Sequence, residues 1–363
     1  MKENKLKILY IIPSLAPGGA ERFILDLIYS IDKDKFEPTL LMFNGGGFFL
    51  KDFRKRKIAY RILNKKYKID IKNFLDIYRY IKRVKPDIVH TQLGGDIYGK
   101  LAAKMAGVKT IISTEQNVAI NDSWLILKFK RITASFSDKL VAISEAVRSD
   151  VVKKYRLPES KVELIHNGLN IEKFSNIKKI NNKNNSVIIG SVGRLSEQKN
   201  FSLLIKALSF FEDFKFECLI VGDGELKSAL QNQIVELGLQ SKIKLLGKRE
   251  NVPEFLSTID FFVLPSKWEG LGVVLLEAGA LSLPVLASAT GGILDLIDDG
   301  QTGILFKNNN LEDLKKKLKY FFDKKNKEKL EVMANNLNKE VIKNFDIKVI
   351  AKKYEDLYLD LIK

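Results

Sequence analysis

Two glutamates, Glu269 and Glu277, lie eight residues apart on either side of a turn that contains two glycines. The pattern predicts a strand that ends at Pro265, a loop that carries Glu269, and an apolar helix that carries Glu277 a little over one turn from its start. Two carboxylates held in this way could accept hydrogen bonds from the hydroxyl groups of a sugar. A solvated surface helix is the alternative, but a glutamate between Leu276 and Ala278 on an apolar helix argues against it.

The turn between the two glutamates is also suited to an anion. Glycines let the backbone approach a ligand closely, and the start of a helix presents N–H groups that have no partner inside the helix. Such groups would be directed at a phosphate. The residues concerned are Gly270, Leu271, Gly272 and Val273.

Two cations, Arg194 and Lys199, lie in the segment SVGRLSEQKN, which follows an apolar run and precedes the helical pattern FSLLIKAL. Arginine offers a fork that matches phosphate oxygens, and lysine offers a compact point charge. Together they suit a diphosphate that gains negative charge as its bond to a sugar breaks. Cations are common in surface loops, so the position at the carboxyl end of a predicted strand is what favours a ligand site here.

A third segment, SLAPGGAERF, places Gly18 and Gly19 between the first apolar run and the first predicted helix. A glycine turn at this point permits close approach of the backbone to a ligand. The segment lacks the G-x-G-x-x-G spacing of dinucleotide-binding proteins, so by itself it identifies no ligand.

Short apolar runs alternate with amphipathic stretches along the whole chain, which is typical of an α/β fold with parallel sheets. The segment SNIKKINNKNN has almost nothing to bury and predicts a linker between two domains. We therefore expect two doubly wound, Rossmann-like domains, with ligands at the carboxyl ends of the strands and in the cleft between the halves. The predicted boundaries are 1–175 for the first domain, 176–186 for the linker, 187–344 for the second domain and 345–363 for a final helix.

The length of 363 residues and the hydrophobic content of 45% fit two cores better than one. Cys218 is the single cysteine, so a disulfide within the chain is impossible. Neither a secretory leader nor a long uncharged apolar run is recognisable. These features predict a cytoplasmic protein that does not span a membrane.

The formal net charge of +17 is unevenly distributed, since residues 51–85 contain fourteen Lys and Arg against three acidic residues. Such an excess could serve nucleic acid, an anionic bilayer or a phosphate-bearing substrate. A general bias of the chain towards Lys, Asn and Ile would also produce it. No aromatic-interleaved basic motif, zinc-binding spacing or helix-turn-helix pattern is recognisable, so we expect an anionic membrane surface rather than nucleic acid as the partner.

Seven segments occur in the order found in glycosyltransferase family 4, and the chain resembles that family most closely in its second half. They are GGAER, IHNGLN, GRLSEQKN, VGDGEL, LLGKRENVPEF, DFFVLPSKWEGLGVVLLEA and GGILDLIDDGQTGILF. The resemblance implies two facing Rossmann-like domains of the GT-B type, with the acceptor bound mainly by the first and a nucleotide-sugar donor by the second. It also implies that the final helix crosses back onto the first domain.

The same resemblance implies a role for each candidate side chain. Glu277 would accept hydrogen bonds from the ribose hydroxyls. Arg194 and Lys199 would hold the diphosphate, and Glu269 would contact the transferred sugar, so that these three residues act in catalysis. Backbone near Gly18 and Gly19 and from Leu271 to Val273 would assist at the diphosphate, and the loop that ends at Val252 would lie against the base.

One position departs from the family's pattern. Many members carry a histidine after the strand that corresponds to TIISTE, where it touches the donor sugar, and here Gln116 stands at that place. His90, at the end of the apolar run DIVH, faces the same cleft by the predicted topology and could compensate. A buried structural histidine is the alternative for His90, and a structural role is expected for His166.

The resemblance further implies retention of anomeric configuration by front-face attack, in which the acceptor hydroxyl gives its proton to the departing phosphate. No obvious pair of nucleophile and base is present to support a covalent intermediate. The Asp-x-Asp sequence at residues 32–34 follows a predicted helix rather than a strand, so we predict no metal site and no cofactor.

We therefore expect transfer of a hexose or N-acetylhexosamine from a nucleotide-diphosphate sugar, with UDP favoured by family frequency. The acceptor would be a saccharide or a lipid-linked saccharide in the synthesis of a capsule, a lipopolysaccharide or another envelope polysaccharide. A nucleotide-sugar epimerase on the same architecture is the first alternative, but two histidines in the whole chain offer few acid and base groups. A basic nucleic-acid-binding protein is the second.

Overall fold

The computed structural model describes residues 5–45, 47–55, 58–65, 70–93, 96–118, 123–180, 186–249 and 251–363. The chain folds into two compact units. The first comprises Met1–Gly168 together with Ile347–Lys363, and the second comprises Leu169–Asp346.

The chain enters the second unit at Leu169. The N–H of Leu169 donates to the carbonyl of Phe345 at 2.8 Å, and Leu169 forms an isolated parallel bridge with Asp346. Residues 169–175, which the sequence-based boundary places in the first domain, therefore belong to the second unit. Of the predicted linker, residues 181–185 lie outside the described residues.

A seven-stranded parallel sheet forms the centre of the first unit, as far as the described residues show. Its strands are β1 (Leu6–Ile12), β2 (Phe36–Met42), β3 (Ala59–Ile62), β4 (Ile88–Gln92), β5 (Thr110–Glu115), β6 (Lys139–Ala142) and β7 (Val162–Leu164). Their order is β3-β2-β1-β4-β5-β6-β7, so the direction of winding switches between β1 and β4. In doubly wound folds, this switch point is where the carboxyl ends of the strands receive ligands.

Helices cover both faces of this sheet. They are α1 (Gly19–Ser30), α2 (Leu50–Arg54), α3 (Ile71–Val84), α4 (Asp96–Met105), α5 (Trp124–Ala134) and α6 (Glu145–Tyr155). Because side chains alternate along a strand, Ile8 and Tyr10 of β1 pack into the cluster that contains α1, whereas Leu9 and Ile11 pack into the cluster that contains α3 and α4. Burial on both faces explains why the strands read as continuous apolar runs.

A six-stranded parallel sheet forms the centre of the second unit. Its strands are β8 (Val187–Val192), β9 (Phe216–Val221), β10 (Ile243–Leu245), β11 (Phe261–Leu264), β12 (Val285–Ala289) and β13 (Ile304–Lys307). Their order is β10-β9-β8-β11-β12-β13, which repeats the winding of the first unit and places the switch between β8 and β11. The expected fold class, two Rossmann-like domains with parallel sheets, is confirmed.

The helices of the second unit are α7 (Phe201–Leu208), α8 (Lys227–Glu236), α9 (Val252–Leu256), α10 (Val273–Ala280), α11 (Leu311–Phe322) and α12 (Lys327–Asn344). Helix α12 packs closely on α10, because a Cβ added at Gly279 would lie only 2.8 Å from Cγ of Leu337. A larger residue at position 279 would push α12 away from the helix that carries Glu277.

The last helix, α13 (Ile347–Ile362), belongs to the first unit and packs against α1. The spacing of Ile347, Ile350, Tyr354 and Leu357 predicts a helix with one apolar side, and all four side chains are buried in the core of the first unit. No helix in the described part of the chain combines the length and the apolar character needed to cross a bilayer.

Candidate active site

Two loops of the second unit meet at the carboxyl edge of its sheet. Strands β8 and β11 are parallel neighbours, although the segments are far apart in the sequence. The loops that follow them, residues 193–200 and 265–272, therefore leave the sheet side by side. The first loop carries Lys199 and the second carries Glu269, so sheet order alone brings these two side chains to one edge.

Lys199 and Glu269 form the central contact of the site. The Lys199 ammonium donates a hydrogen bond to Oε1 of Glu269, and the hydroxyl of Ser266 donates to the same oxygen at 2.6 Å. Glu269 is only 5% exposed, so its carboxylate is largely withdrawn from water. Oε2 accepts no hydrogen bond from any residue that the structure describes. A buried charge is stable when it is paired and hydrogen-bonded, and Oε1 of Glu269 meets both conditions.

The end of β12 and the loop after it hold the backbone of the segment that carries Ser266 and Glu269. The N–H of Gly292 donates to the Glu269 carbonyl at 3.3 Å, and the hydroxyl of Ser288 donates to the carbonyl of Ser266 at 2.5 Å. Gly291 has a φ of +51°, and a Cβ there would lie 2.2 Å from the Glu269 carbonyl oxygen, so no other residue fits. The sequence had suggested no role for Ser266, Ser288 or Gly291. The glycine pair at the start of GGILDL is the feature that could have indicated a tight approach of this loop to the site.

Lys199 is positioned by contacts between the two loops. Nε2 of Gln198 donates to the carbonyl of Trp268 at 3.1 Å, and the N–H of Lys267 donates to the carbonyl of Gln198 at 2.8 Å. The aliphatic chain of Lys199 lies against Gly193, where an added Cβ would approach its carbons to 3.1 Å. These contacts hold the ammonium at the carboxylate.

Arg194 makes a different contact. Its side chain is 74% exposed, and its Nε donates to Oε2 of Glu225 at 3.1 Å, on the loop after β9. That loop lies directly on the Arg194 loop, because a Cβ added at Gly222 would lie 1.8 Å from the carbonyl oxygen of Gly193. The structure thus brings Lys199 to Glu269 but directs Arg194 to a neighbouring carboxylate at the surface.

The start of α10 follows the Glu269 loop. Gly272 has a φ of +87°, a left-handed conformation that favours glycine, and it precedes the first helical residue, Val273. The N–H groups of Gly270, Leu271 and Val273 donate to no acceptor within the described part of the chain. Glu277 lies half-buried four positions after Val273, a little over one turn into the helix.

The loop after β10 leads to Val252, the first residue of α9. Gly247 has a φ of +70°, and its carbonyl accepts a hydrogen bond from the N–H of Gly222 at 2.9 Å. This loop is therefore tied to the same glycine that packs against the Arg194 loop. Glu250 lies outside the described residues.

Gly18 and Gly19 mark the start of α1 in the first unit, with Gly18 as the cap and Gly19 as the first helical residue. Gly18 has a φ of −172°, an extended conformation that any residue adopts, so backbone geometry does not require glycine at this position. A Cβ there would meet Oε2 of Glu21 at 2.3 Å. Burial raises the pKa of Glu21 above its usual range.

His90 does not face a cleft, contrary to its placement by the predicted topology. The side chain is buried, with Nδ1 at 2.7 Å from the hydroxyl of Tyr358 and Nε2 at 2.7 Å from the hydroxyl of Thr114. Burial lowers the pKa of His90 to about 3. The reason is that β4 is a central strand and α13, which supplies Tyr358, covers this face of the sheet. Both ring nitrogens therefore have hydrogen-bond partners inside the core, as expected of a buried structural histidine.

Gln116 follows β5 and is buried in a chain of amide hydrogen bonds. Its Nε2 donates to Oε1 of Gln92 at 3.2 Å, and its Oε1 accepts from Nδ2 of Asn167 at 2.7 Å. Nε2 of Gln92 in turn donates to the carbonyl of Ala20 in α1 at 3.4 Å. The structure therefore connects Gln116 with the start of α1, where Gly18 and Gly19 lie.

Among the described residues, no group of three or more His, Cys, Asp or Glu side chains is arranged to hold a metal ion. Asp32 and Asp34 form a turn, in which the N–H of Asp34 donates to Oδ1 of Asp32 at 2.8 Å. The N–H of Asp32 donates to Oε1 of Glu355 at 2.7 Å, so this turn is tied to α13.

Solved structures share this fold over the whole chain. That of the Anabaena protein HepE in complex with UDP and glucose has a TM-score of 0.87 at 21% identity and covers 98% of this chain and 100% of that chain. That of a glycosyltransferase from Rickettsia africae has a TM-score of 0.84 at 25% identity and covers 99% of both chains. The fold is that of the GT-B glycosyltransferases.

Two family models cover most of the sequence. The model described as glycosyltransferase family 4 matches residues 17–173, and the model described as glycosyl transferases group 1 matches residues 172–340. The chain belongs to glycosyltransferase family 4, as the ordered segments of the sequence indicated.

Two bacterial relatives align with this chain from end to end. The UDP-Gal:α-D-GlcNAc-diphosphoundecaprenol α-1,3-galactosyltransferase of Escherichia coli is 28% identical over 384 residues, which are 99% of this chain and 98% of that protein. An α-1,4-N-acetyl-D-galactosaminyltransferase of Campylobacter jejuni that acts on a diphosphate-linked undecaprenol saccharide is 28% identical over 370 residues, which are 98% of this chain and 99% of that protein.

Proposed function

We propose that this chain is a retaining, metal-independent glycosyltransferase that moves a hexose or N-acetylhexosamine from a UDP-sugar to a lipid-linked acceptor. The observation that carries the proposal is the Glu269 carboxylate. One of its oxygens is held by Lys199 and Ser266, and the other takes no hydrogen bond from the described residues, at a loop that leads into the start of α10. A carboxylate oxygen on a loop whose following backbone N–H groups have no acceptor among the described residues suits a sugar attached to a diphosphate.

The residues of the second unit would divide the donor between them. Oε2 of Glu269 would accept a hydrogen bond from a hydroxyl of the transferred sugar. Lys199 and Arg194 would stabilise the diphosphate, and Glu277 on α10 would accept hydrogen bonds from the ribose. For Arg194 to reach a phosphate, its contact with Glu225 must break, and this is inexpensive because an exposed ion pair contributes little stability.

The reaction then needs no protein nucleophile. The bond between the anomeric carbon and the diphosphate oxygen breaks, and the acceptor hydroxyl oxygen forms a bond to the same carbon on the same face. The hydroxyl proton passes to the departing phosphate oxygen. The protein contributes orientation and cations placed where negative charge accumulates.

The relatives support the substrate classes. The Escherichia coli relative is a transferase of galactose from UDP-Gal, and HepE has been crystallised with UDP and glucose. The two bacterial relatives both act on undecaprenol carriers linked through a diphosphate. A UDP-sugar donor and a polyprenyl-diphosphate-linked acceptor are therefore the pair that we propose for this chain, in the synthesis of an envelope polysaccharide.

The test is transfer by the purified chain. A panel of UDP-galactose, UDP-glucose and their N-acetylated counterparts, with GDP-mannose for comparison, is incubated with a GlcNAc-diphosphate carried on a polyprenol, with and without EDTA. We expect an α-linked product from one UDP-sugar, unchanged by EDTA, with the anomer assigned by NMR. A β-linked product or loss of transfer in EDTA would contradict the mechanism, and conversion of the donor into its epimer without acceptor would favour the epimerase alternative.

A lipid-linked acceptor requires the protein to reach a membrane, and we propose peripheral association with its cytoplasmic face. The basic segment 51–85 supports this, because its described Lys and Arg side chains are mostly exposed, among them Lys72, Arg79, Lys82 and Arg83 on α3. Residues 56–57 and 66–69 of the segment lie outside the described residues. Each cation near an anionic surface contributes about 1 kcal/mol of binding free energy, so a few suffice for reversible docking. Tight binding to DNA at physiological salt would instead favour the nucleic-acid alternative.

A further inference from the structure

Helix α5 carries large apolar side chains on the outside of the first unit. Trp124 is 71% exposed and Phe129 is 56% exposed. Leu125 and Ile132 are exposed as well, and with Phe129 they follow the i, i+4, i+7 spacing that forms a stripe along one side of a helix. Contiguous exposed apolar surface of this kind marks an interaction surface, whereas single exposed residues do not.

Helix α5 packs against α4 and α6 and makes polar contacts with its own unit. Nη2 of Arg131 donates to the carbonyl of Lys154 on α6 at 2.9 Å, and Nζ of Lys130 lies 4.0 Å from the Glu115 carboxylate at the end of β5. The buried residues of the helix are Thr133 and Ala134. The half-buried Leu127 lies on the same side of the helix as Lys130, Arg131 and Ala134, whereas the apolar residues Trp124, Leu125, Phe129 and Ile132 are exposed.

The charge around this stripe is positive. Residues 123–135 contain three cations and no carboxylate, and the exposed Lys128 lies one turn from Trp124. Helices α3, α4 and α5 pack side by side. The basic helix α3 and the apolar stripe of α5 therefore lie in the same layer of the first unit.

We propose that α5 is the element that inserts into the interface of an anionic bilayer, with Trp124, Leu125, Phe129 and Ile132 below the headgroups. Lys128 and the cations of α3 would lie among the headgroups. Aromatic side chains favour the interface, and basic amphipathic helices bind anionic lipid through buried apolar area together with charge. This inference rests on the proposed function, because a lipid-linked acceptor would be presented at the surface of a membrane. Helix α5 follows β5, whose carboxyl end is continued by Gln116, so docking would bring this edge of the sheet to the membrane.

The experiment measures binding of the full chain to vesicles of phosphatidylcholine with and without phosphatidylglycerol. The test variant replaces Trp124 and Phe129 by Ser. The matched control replaces Phe210 and Val332 by Ser, which are 56% and 54% exposed in the second unit. We expect the partition of the test variant into anionic vesicles to fall about tenfold or more, because each inserted aromatic side chain contributes through its buried apolar area. We expect the control to partition like the wild type.

Salt and fluorescence separate insertion from attraction by charge alone. At about 0.5 M salt, where electrostatic attraction is largely screened, we expect residual binding of the wild type and none of the test variant. The emission of Trp124 should shift to shorter wavelength on anionic vesicles, and Trp124→Phe should remove that shift while it keeps binding. All variants change exposed side chains, so unchanged thermal unfolding verifies that they are folded.

Three results would overturn the proposal: equal vesicle binding by the wild type and the test variant, no binding by either, or a self-associated wild type that the test variant dissociates. The last result would mean that the stripe pairs with a second copy of the chain. Vesicle binding needs neither donor nor acceptor, whereas the proposed transfer is measured by its product. Failure of the membrane inference therefore leaves the transfer assay unaffected, and failure of transfer leaves the vesicle result unaffected.

Discussion

The ammonium of Lys199 donates a hydrogen bond to the carboxylate of Glu269, although the two residues are 70 positions apart in the chain. The neighbouring positions of β8 and β11 in the sheet create this contact. The ammonium therefore compensates the charge of a nearly buried carboxylate. In the proposed function, Lys199 would also stabilise the negative charge that develops on the departing phosphate.

Replacement of Glu269 by Ala should lower turnover by about 100-fold and change donor affinity much less. The physical reason is that contacts to the transferred sugar strengthen in the transition state, so their loss affects turnover more than ground-state binding. Steady-state kinetics together with calorimetric titration of the donor measures the two quantities separately. A loss of donor affinity as large as the loss of turnover would contradict the proposed role.

Replacement of Glu277 by Ala should do the opposite and weaken donor binding by about tenfold, with turnover at saturation nearly retained. Ribose contacts stay the same throughout the reaction, so their loss is uniform. Glu236→Ala on α8, which changes an exposed glutamate of the same unit, serves as the control. Equal donor affinity in the wild type and Glu277→Ala would remove Glu277 from the donor site.

Arg194→Ala and Lys199→Ala should each lower turnover by about 100-fold or more, but they should differ in stability. Lys199→Ala leaves the buried Glu269 carboxylate without its cation. We expect a cost near the lower end of the roughly 3–5 kcal/mol found for buried pairs, because the Lys199 side chain is 16% exposed. Arg194→Ala should leave the free energy of unfolding almost unchanged, since Arg194 and Glu225 are both exposed.

Urea unfolding of these variants checks the stability difference, and Glu225→Ala is the companion variant. It frees Arg194 from its surface contact, so turnover should stay within a few fold of the wild type. Near-normal turnover of Arg194→Ala would show that the surface contact with Glu225 is the whole role of this arginine.

His90 should make the stability of the protein sensitive to acid. The unfolded chain takes up a proton at an ordinary pKa of 6.5, whereas burial holds the pKa of His90 near 3 in the folded state. The unfolded state therefore binds more protons between these pH values, and stability is lost as pH falls through that window. The variant His90→Gln lacks this titration. The difference in unfolding free energy between the wild type and His90→Gln should therefore be smaller at pH 5 than at pH 7. His166→Gln, which removes the other histidine, is the control, and a deficit of His90→Gln that stays constant with pH would contradict the assignment.

Gln116→Ala should destabilise the first unit by about 1–3 kcal/mol, because Oε1 of Gln92 and Nδ2 of Asn167 lose the hydrogen bonds that Gln116 makes with them. Gln240→Ala changes an exposed glutamine and should have no effect. If Gln116 also contacts the donor sugar, turnover measured well below the unfolding temperature will fall. Unchanged turnover would limit this residue to its role in the amide chain.

The sequence by itself determined the fold class and the local context of the site. Parallel strands buried on both faces read as apolar runs, so the alternation of runs and amphipathic stretches was sufficient for two Rossmann-like domains. The short strands β3 (Ala59–Ile62), β7 (Val162–Leu164) and β13 (Ile304–Lys307) were not predicted, because a strand of three or four residues at a sheet edge carries little hydrophobic pattern. Near Glu269, a strand followed by a glycine turn and an apolar helix fixed where Glu277 would lie, since those relations are local.

Only the tertiary structure decided which side chains meet. Arg194 and Lys199 are equivalent in a sequence argument, but the order of strands sends Lys199 to Glu269 and Arg194 to Glu225. His90 ends an apolar run and could have faced either a ligand or the core. Helix α13, from the far end of the chain, covers His90 and brings the hydroxyl of Tyr358 to one ring nitrogen, so that His90 lies in the core. Contacts of this kind depend on the order of strands and on where a distant helix packs, and neither is encoded in the residues next to the site.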